Sequence, residues 1–162
     1  MFKKLFGHKE KTVEVVAPVN GRVVDLKEVP DPVFAEKMMG EGLAVKPADG
    51  EVFSPVEGEV VQLFPTNHAI GLKTRNGVEV LIHIGLETVS MEGEGFKPHV
   101  SQGDKVKAGD KLITFDKGLV EEKAKSSITP IIITNSNDLK VQLLDSEEAA
   151  AGTTVLMKVH NE

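Results

Sequence analysis

The stretch V-L-I-H-I-G-L-E-T-V, residues 80 to 89, places one histidine, His83, inside an apolar run. Because successive side chains of a strand point to opposite faces, alternate residues here share a face. His83 lies on a mixed face beside Gly85, and we therefore do not expect it in the core. The opposite face is wholly aliphatic and is predicted to be buried: Val78, Val80, Ile82, Ile84 and Leu86.

A second histidine, His68, lies in the preceding segment T-N-H-A-I-G-L, residues 66 to 72. Between the two segments stands Asn76-Gly77, which is the strongest short signal for a hairpin turn. With that turn, His83 lies opposite Ile70, and His68 is its diagonal neighbour on the same face, about 7–8 Å away. A loop longer by two residues places the two histidines directly opposite each other. Both registers bring the rings together, whereas an odd shift would separate them.

The sequence also contains one internal repeat. Residues 17–26 and 54–63 share the pattern P-V-x-G-x-V-V-x-L, with Gly21 and Gly58 at equivalent positions. The repeat predicts two similar strand-turn-strand units folded against each other, with each glycine permitting a tight turn.

Short β-branched runs between Gly, Pro, Asn and Asp turns indicate an all-β chain. The two Gly-Asp turns within residues 103–112 are typical of a hairpin. Two segments favour short helices, 32–39, which would end at Gly40, and 119–125. We therefore predict an antiparallel β-sandwich or flattened barrel with internal duplication and one or two short helices. The predicted strands include Val13–Val16, Glu51–Phe53, Val78–Ile84, Leu112–Phe115, Pro130–Thr134 and Val155–Val159.

The composition of the chain excludes several classes of function. The chain has 162 residues, which suits a single domain, and no cysteine, which excludes disulfides, thiolate metal sites and a cysteine nucleophile. Its net charge of -6, with both signs mixed along the chain, argues against nucleic acid as a partner. No run is apolar enough to span a bilayer and no signal peptide is evident, so we expect a cytoplasmic protein.

The first residues differ in character from the rest. We expect residues 1–11 to form a flexible tail and residues 12–162 to form one domain. Residues 1–6, M-F-K-K-L-F, mix apolar and basic side chains at helical spacing. Such a short segment supports at most a weak contact with a membrane surface.

The face that carries His68, His83 and the hydroxyl of Thr66 is compatible with three kinds of chemistry. The histidines could be surface residues in a hydrogen-bond network. They could supply half of a metal site, with a third ligand from Glu87 or from a partner. Alternatively, one histidine could carry a phosphoryl group whose oxygens the second imidazole and the hydroxyl stabilise. The spacing alone does not choose among these.

Five segments in order resemble the glucose-type enzyme IIA family of the bacterial phosphoenolpyruvate-dependent sugar phosphotransferase system. The resemblance runs from about residue 12 to the C-terminus. The segments that carry it are VPDPVFAEKMMGEGLAVKP, TNHAIGL, GVEVLIHIGLETV, GEGFKPHVSQGDKVKAGDKLITFD and EEKAKSSITPIIITN.

The resemblance implies a duplicated antiparallel β-sandwich and a role in phosphoryl transfer. Family members accept a phosphoryl group from the phosphohistidine of HPr and pass it to a cysteine on the IIB domain of a sugar permease. The phosphorylated histidine falls on His83, with Nε2 as the attacking atom, the assisting histidine on His68 and its hydroxyl partner on Thr66. No cofactor is implied. The family commonly has an aspartate where this chain has Glu87.

The resemblance also implies a surface on which partners dock. An apolar rim with methionines suits a surface that accepts several partners in turn. Family members also bind and inhibit other proteins according to phosphorylation state, sometimes through an inter-protein zinc, which here would use His68 and His83. The expected partner-binding residues are Val33, Phe34, Met38 and Met39, in the family's hydrophobic segment, and Phe64 and Val89, which flank the histidine strands.

Two other classes of protein fit less well. Zinc peptidases of similar duplicated β architecture use a His-x-His pair, whereas His83 is followed by Ile84 and Gly85. Biotinyl carriers present a lysine within Met-Lys-Met at a hairpin tip, whereas Lys37 precedes two methionines in a predicted helix or loop.

Overall fold

The computed structural model describes residues 12–161; the predicted tail, residues 1–11, lies outside the described residues. The strands within the described part are β1 (Thr12–Val16), β2 (Gly21–Asp25), β3 (Glu41–Pro47), β4 (Glu51–Phe53), β5 (Gly58–Leu63), β6 (Ala69–Lys73), β7 (Glu79–His83), β8 (Phe96–Pro98), β9 (Lys105–Val106), β10 (Lys111–Phe115), β11 (Thr129–Ile133), β12 (Leu139–Leu143), β13 (Glu148–Ala149) and β14 (Val155–Asn161). The α-helices are α1 (Pro32–Ala35) and α2 (Lys117–Lys123), and the 3-10 turns are Leu26–Glu28, Thr88–Met91 and Ser136–Asp138.

The strands form one large sheet and two small ones. The eight-stranded sheet has the order β13-β2-β3-β11-β7-β6-β5-β9, and the three-stranded sheets are β1-β14-β12 and β4-β10-β8. Every pairing between neighbouring strands is antiparallel. The prediction of an antiparallel all-β sandwich with short helices is therefore confirmed. Within residues 12–161, no helix combines the length and the apolar character needed to cross a membrane.

The sequence repeat corresponds to a symmetry of the large sheet. Strands β2 and β5, which contain the repeated segments, occupy equivalent places on either side of the central pair β11-β7. The segments preceding them exchange reciprocal bonds, since Val16 N donates to Pro55 O (3.0 Å) and Phe53 N donates to Pro18 O (2.8 Å). The two halves of the duplication therefore pack on each other, as the repeat predicts.

The repeated glycines serve close packing of strands. Gly21 and Gly58 are the first residues of β2 and β5. A Cβ on Gly21 would lie 2.0 Å from the carbonyl oxygen of Lys46, and one on Gly58 would lie 2.4 Å from that of Lys73. Only a residue without a side chain lets the neighbouring strand approach so closely. Glycine is thus needed at these two positions for a close contact between strands, and not for the tight turn that the sequence predicts.

Within residues 12–161, two apolar clusters hold the fold together. The aliphatic face predicted for residues 78–86 is buried throughout. Its first four members belong to the main core, whereas Leu86 belongs to a second cluster with Leu81, Ile132 and Phe34. Strand β7 is therefore covered on both faces, and helix α1 contributes to the cover of the second one. His83 ends this strand, on the face of the second cluster.

Three local predictions are wrong. The helix expected over residues 32–39 ends at Ala35, because Lys37 adopts a left-handed backbone with φ 59°. Helix α2 begins at Lys117, earlier than predicted, where Asp116 accepts a hydrogen bond from Leu119 N. Residues 103–112 form no hairpin, since β9 pairs with β5 while β10 pairs with β4 and β8.

Candidate functional site

The ring of His83 is fixed by a backbone carbonyl. Its Nδ1 lies 2.7 Å from the carbonyl oxygen of Gly85. A carbonyl only accepts hydrogen bonds, so Nδ1 carries the hydrogen and Nε2 of the neutral ring keeps a free electron pair. Gly85 has φ 73°, and a Cβ there would lie 2.7 Å from the Ser126 carbonyl oxygen and 2.7 Å from Thr88 Cγ2. Close packing thus holds the carbonyl that sets the tautomer of His83.

The two histidine rings lie together, with centroids 5.1 Å apart and planes at 77°. Neither predicted register brings this about, because β6 and β7 pair Ala69 with His83 and Ile70 with Ile82. This is the odd shift that was expected to separate the histidines. The expectation was wrong because His68 precedes β6, immediately after Asn67 with φ 59°, where strand alternation no longer applies.

Thr66 is held against the assisting histidine. Its Oγ1 is within hydrogen-bond contact of His68 Nδ1, so the hydroxyl and the ring meet through a short loop between β5 and β6. Both residues belong to this loop, so the position of the hydroxyl relative to the ring is set by the local backbone. The opposite ring nitrogen of His68 takes no part in this contact.

Burial keeps both imidazoles neutral. The side chain of His68 is 4% exposed, and this burial, together with the neighbouring His83, lowers the pKa of His68 from 6.5 to about 4. Burial also lowers the pKa of His83, while the Gly85 carbonyl and the charge of Asp31 act in the opposite direction. Neutral imidazoles have the free electron pair that nucleophilic attack requires.

Two phenylalanines support the rings. Phe34 packs on His83 with ring centroids 5.2 Å apart, and Phe64 meets the edge of His68 at 5.6 Å. Phe64 is half-buried, whereas Phe34 is 5% exposed and belongs to the second apolar cluster. The structure therefore places Phe34 behind His83, where its ring is largely inaccessible to a docking partner.

The other predicted rim residues lie on the surface. The exposed fractions are 38% for Val33, 70% for Met38, 38% for Met39 and 58% for Val89. Val89 lies in the 3-10 turn Thr88–Met91, which follows β7. These exposed apolar side chains are compatible with a surface that binds proteins.

Two features of the site escaped the sequence analysis. One is the Gly85 carbonyl, because backbone groups leave no residue-type signal. The other is Asp31, whose carboxylate accepts a hydrogen bond from Val33 N (3.0 Å) and whose charge acts on His83. An aspartate directly before Pro32 is a recognisable helix-start signal, so its position could have been predicted.

A metal would need ligands beyond this site. Within residues 12–161 no group of three or more His, Cys, Asp or Glu side chains could hold a metal ion. Two neutral imidazoles are an incomplete zinc site, which usually has three or four protein ligands. A zinc ion between His68 and His83 would therefore require a ligand from another protein.

Comparison with known proteins places this β-sandwich with paired histidines in a class of phosphotransferase component. The chain belongs to the EIIA 1 family of the phosphoenolpyruvate-dependent sugar phosphotransferase system, whose family model matches residues 13–139. It is thus a component of a sugar transport system with a transferase role.

Individual relatives refine this placement. The chain is 59% identical over 162 residues to the PTS system glucose-specific EIIA component of Bacillus cereus, covering 98% of each chain. It is 56% identical over 165 residues to the protein of that name from Oceanobacillus iheyensis, covering 99% of this chain and 100% of the other. The solved structure of glucose permease IIA from Mycoplasma capricolum matches with a TM-score of 0.83 and 41% identity, covering 91% of this chain and 96% of that chain.

Proposed function

We propose that this protein is a phosphohistidine carrier that takes a phosphoryl group from phospho-HPr and gives it to the IIB domain of a glucose-family permease. The observation that carries the proposal is the pair of imidazoles 5.1 Å apart, one of them with Nδ1 bound to a carbonyl. This arrangement leaves Nε2 of His83 as an oriented nucleophile beside a second polar ring.

In the first step the electron pair of His83 Nε2 attacks the phosphorus of the HPr phosphohistidine. The new P–N bond forms as the donor P–N bond breaks, and the electron pair of that bond returns to the donor imidazole. The His83 ring becomes more positive, and the Gly85 carbonyl, which accepts from Nδ1, stabilises it. Most of the catalysis is positioning and charge stabilisation, as expected for phosphoryl transfer.

His68 stabilises the transferred group. The Thr66 hydroxyl donates to His68 Nδ1, which leaves the hydrogen on Nε2 available to a phosphoryl oxygen. In the second step a cysteine thiolate of IIB attacks the phosphorus, the P–Nε2 bond breaks and its electron pair returns to His83. No metal or nucleotide takes part in either step.

The exposed apolar residues provide the docking surface for both partners. Val33, Met38, Met39 and Val89 are exposed, Phe64 is half-buried, and Phe34 acts from beneath by supporting His83. One face must accept HPr and IIB in turn, and flexible methionines suit such a shared surface. The net charge of -6 favours encounter with a basic face of HPr.

The setting of this activity follows from the family resemblance. The carrier works in the cytoplasm, and residues 12–162 form its single domain. Regulatory binding of further proteins according to phosphorylation state belongs to the same proposal, with zinc shared between His68, His83 and a partner's ligand.

The test is to incubate the protein with phosphoenolpyruvate, enzyme I and HPr and to map the acid-labile phosphate by mass spectrometry. We expect one phosphate on His83 and none in the His83→Gln variant. His99→Gln is the matched control, because His99 is an exposed histidine in contact with Thr114, on the small sheet β4-β10-β8. Phosphate on another residue, or labelling of His83→Gln at the normal rate, would refute the assignment.

A further inference from the structure

The side chain of His68 lies on the face opposite to the one that strand pairing prescribes. The ladder of β6 and β7 extends backwards to His68, because Ile84 N donates to His68 O at 2.7 Å. Regular alternation would then place His68 with Ile84, which is fully buried in the main core. Instead, the His68 ring lies against His83 and Phe64. A local departure from strand geometry therefore brings the second imidazole to the site.

The departure occurs in the loop between β5 and β6. Phe64 N donates to Ala69 O (3.1 Å) and Asn67 N donates to Phe64 O (2.7 Å), so a four-residue loop is closed around a β-turn. Pro65 occupies the second position of that turn, which its fixed φ favours. Asn67 follows with φ 59°, and this left-handed residue redirects the chain between Thr66 and His68.

The distinctive feature of Asn67 is its left-handed backbone, with φ 59°. Each histidine has its Nδ1 bonded elsewhere, His68 to the Thr66 hydroxyl and His83 to the Gly85 carbonyl. The left-handed region is disfavoured for residues with a Cβ, least so for asparagine and most for β-branched residues. Glycine enters this region freely. The residue type at position 67 therefore controls how often the loop adopts the conformation that brings His68 to the site.

We propose that Asn67 is a positioning residue, whose left-handed backbone sets the His68 ring beside His83 for phosphoryl delivery. The inference rests on the proposed function, in which His68 assists transfer to IIB. It adds that the assisting role depends on the backbone conformation of the residue before His68, and that the loop rather than the strand register specifies the site.

The experiment compares Asn67→Gly, Asn67→Ala and Asn67→Val with the unmodified protein and with His68→Gln. Glycine and valine both delete the amide, but they have opposite preferences for the left-handed backbone. Each protein is charged with phospho-HPr, and delivery of the phosphoryl group to soluble IIB is followed in single turnover. The titration of the His68 ring is measured by NMR on the same proteins, and melting curves establish that each is folded.

We expect Asn67→Gly to deliver within about twofold of the unmodified protein and Asn67→Val to deliver about tenfold more slowly. Valine should also move the His68 pKa back towards 6.5 as the ring leaves its buried position, a change that simple loss of stability would not cause. Asn67→Ala should fall between the two, and it gives the answer if the valine variant does not fold.

Two results would overturn the proposal. Normal delivery and an unchanged His68 titration in the valine or alanine variant would show that the left-handed backbone is dispensable. An equal loss of phosphoryl delivery in the glycine and valine variants would show that the Asn67 amide, and not the left-handed backbone, positions His68. Failure of the proposed function is distinguishable from both, since then the unmodified protein would carry no phosphate on His83.

Discussion

Acidification should destabilise this protein through His68, whose folded-state pKa is lowered to about 4 from 6.5. The unfolded chain then binds the proton more tightly than the folded one. The contribution of neutral His68 to the free energy of unfolding is therefore fully present above pH 6.5 and is lost as the pH falls towards 4. The full lowering of the His68 pKa corresponds to about 3 kcal/mol in the free energy of unfolding, at about 1.4 kcal/mol for each pKa unit. About 2 kcal/mol of this is lost by pH 5, before most carboxylates titrate.

The assay is urea unfolding at pH 7.5 and pH 5 of the unmodified protein, His68→Gln and His99→Gln. Glutamine does not titrate, so His68→Gln should lose about 2 kcal/mol less between the two pH values than the unmodified protein. His99→Gln serves as the control for the replacement of an exposed histidine by glutamine. Only the pH-dependent difference matters, because the substitution can change stability at both pH values. Equal losses in all three proteins would refute the assignment of the buried neutral state to His68.

Three further predictions concern the surroundings of His83. Phe34→Ala should cost about 3–5 kcal/mol in the free energy of unfolding, because a buried ring is lost from the second cluster and from beneath His83; a cost under about 1 kcal/mol would contradict this packing. Gly85→Ala should slow acceptance of the phosphoryl group from phospho-HPr by about tenfold, because its Cβ would clash with neighbouring atoms. Gly77→Ala is the control for backbone strain, since Gly77 has φ 91° and a Cβ there would meet nothing within 4 Å. Equal rates in the two variants would show that the clash at Gly85 does not matter. Val89→Asp should change the free energy of unfolding by no more than about 0.5 kcal/mol, since the residue is 58% exposed. The same substitution should raise the KM for phospho-HPr about tenfold. An unchanged KM would show that Val89 is not part of the docking surface.

The sheet architecture could be predicted because its signals are periodic. The alternation from Val78 to Ile84 identified a face that packs in the main core, and the 37-residue offset between Gly21 and Gly58 identified the duplication. Both signals depend on side-chain burial, which acts along whole strands and tolerates small errors at their ends. The strand Glu51–Phe53 was predicted with its observed bounds.

Local backbone conformation was the part that the sequence did not reveal. The helix after Pro32 stops short because Lys37 is left-handed, and His68 reaches its place because Asn67 is left-handed. Lysine gives no warning of this conformation, and one asparagine in a polar loop is a weak signal. The register of β6 and β7 was missed by one residue, although the turn at Asn76-Gly77 was the strongest hairpin signal in the chain.

The symmetry of the large sheet shows what each half of the duplication contributes to the site. The short connection from β5 to β6 supplies His68, whereas the equivalent connection from β2 to β3 is longer and carries helix α1 with Phe34. One half of the duplication therefore contributes the His68 ring, and the other contributes Phe34, which packs against His83. A chain in which only one half had folded would lack either His68 or Phe34, so the complete site requires both halves of the sandwich.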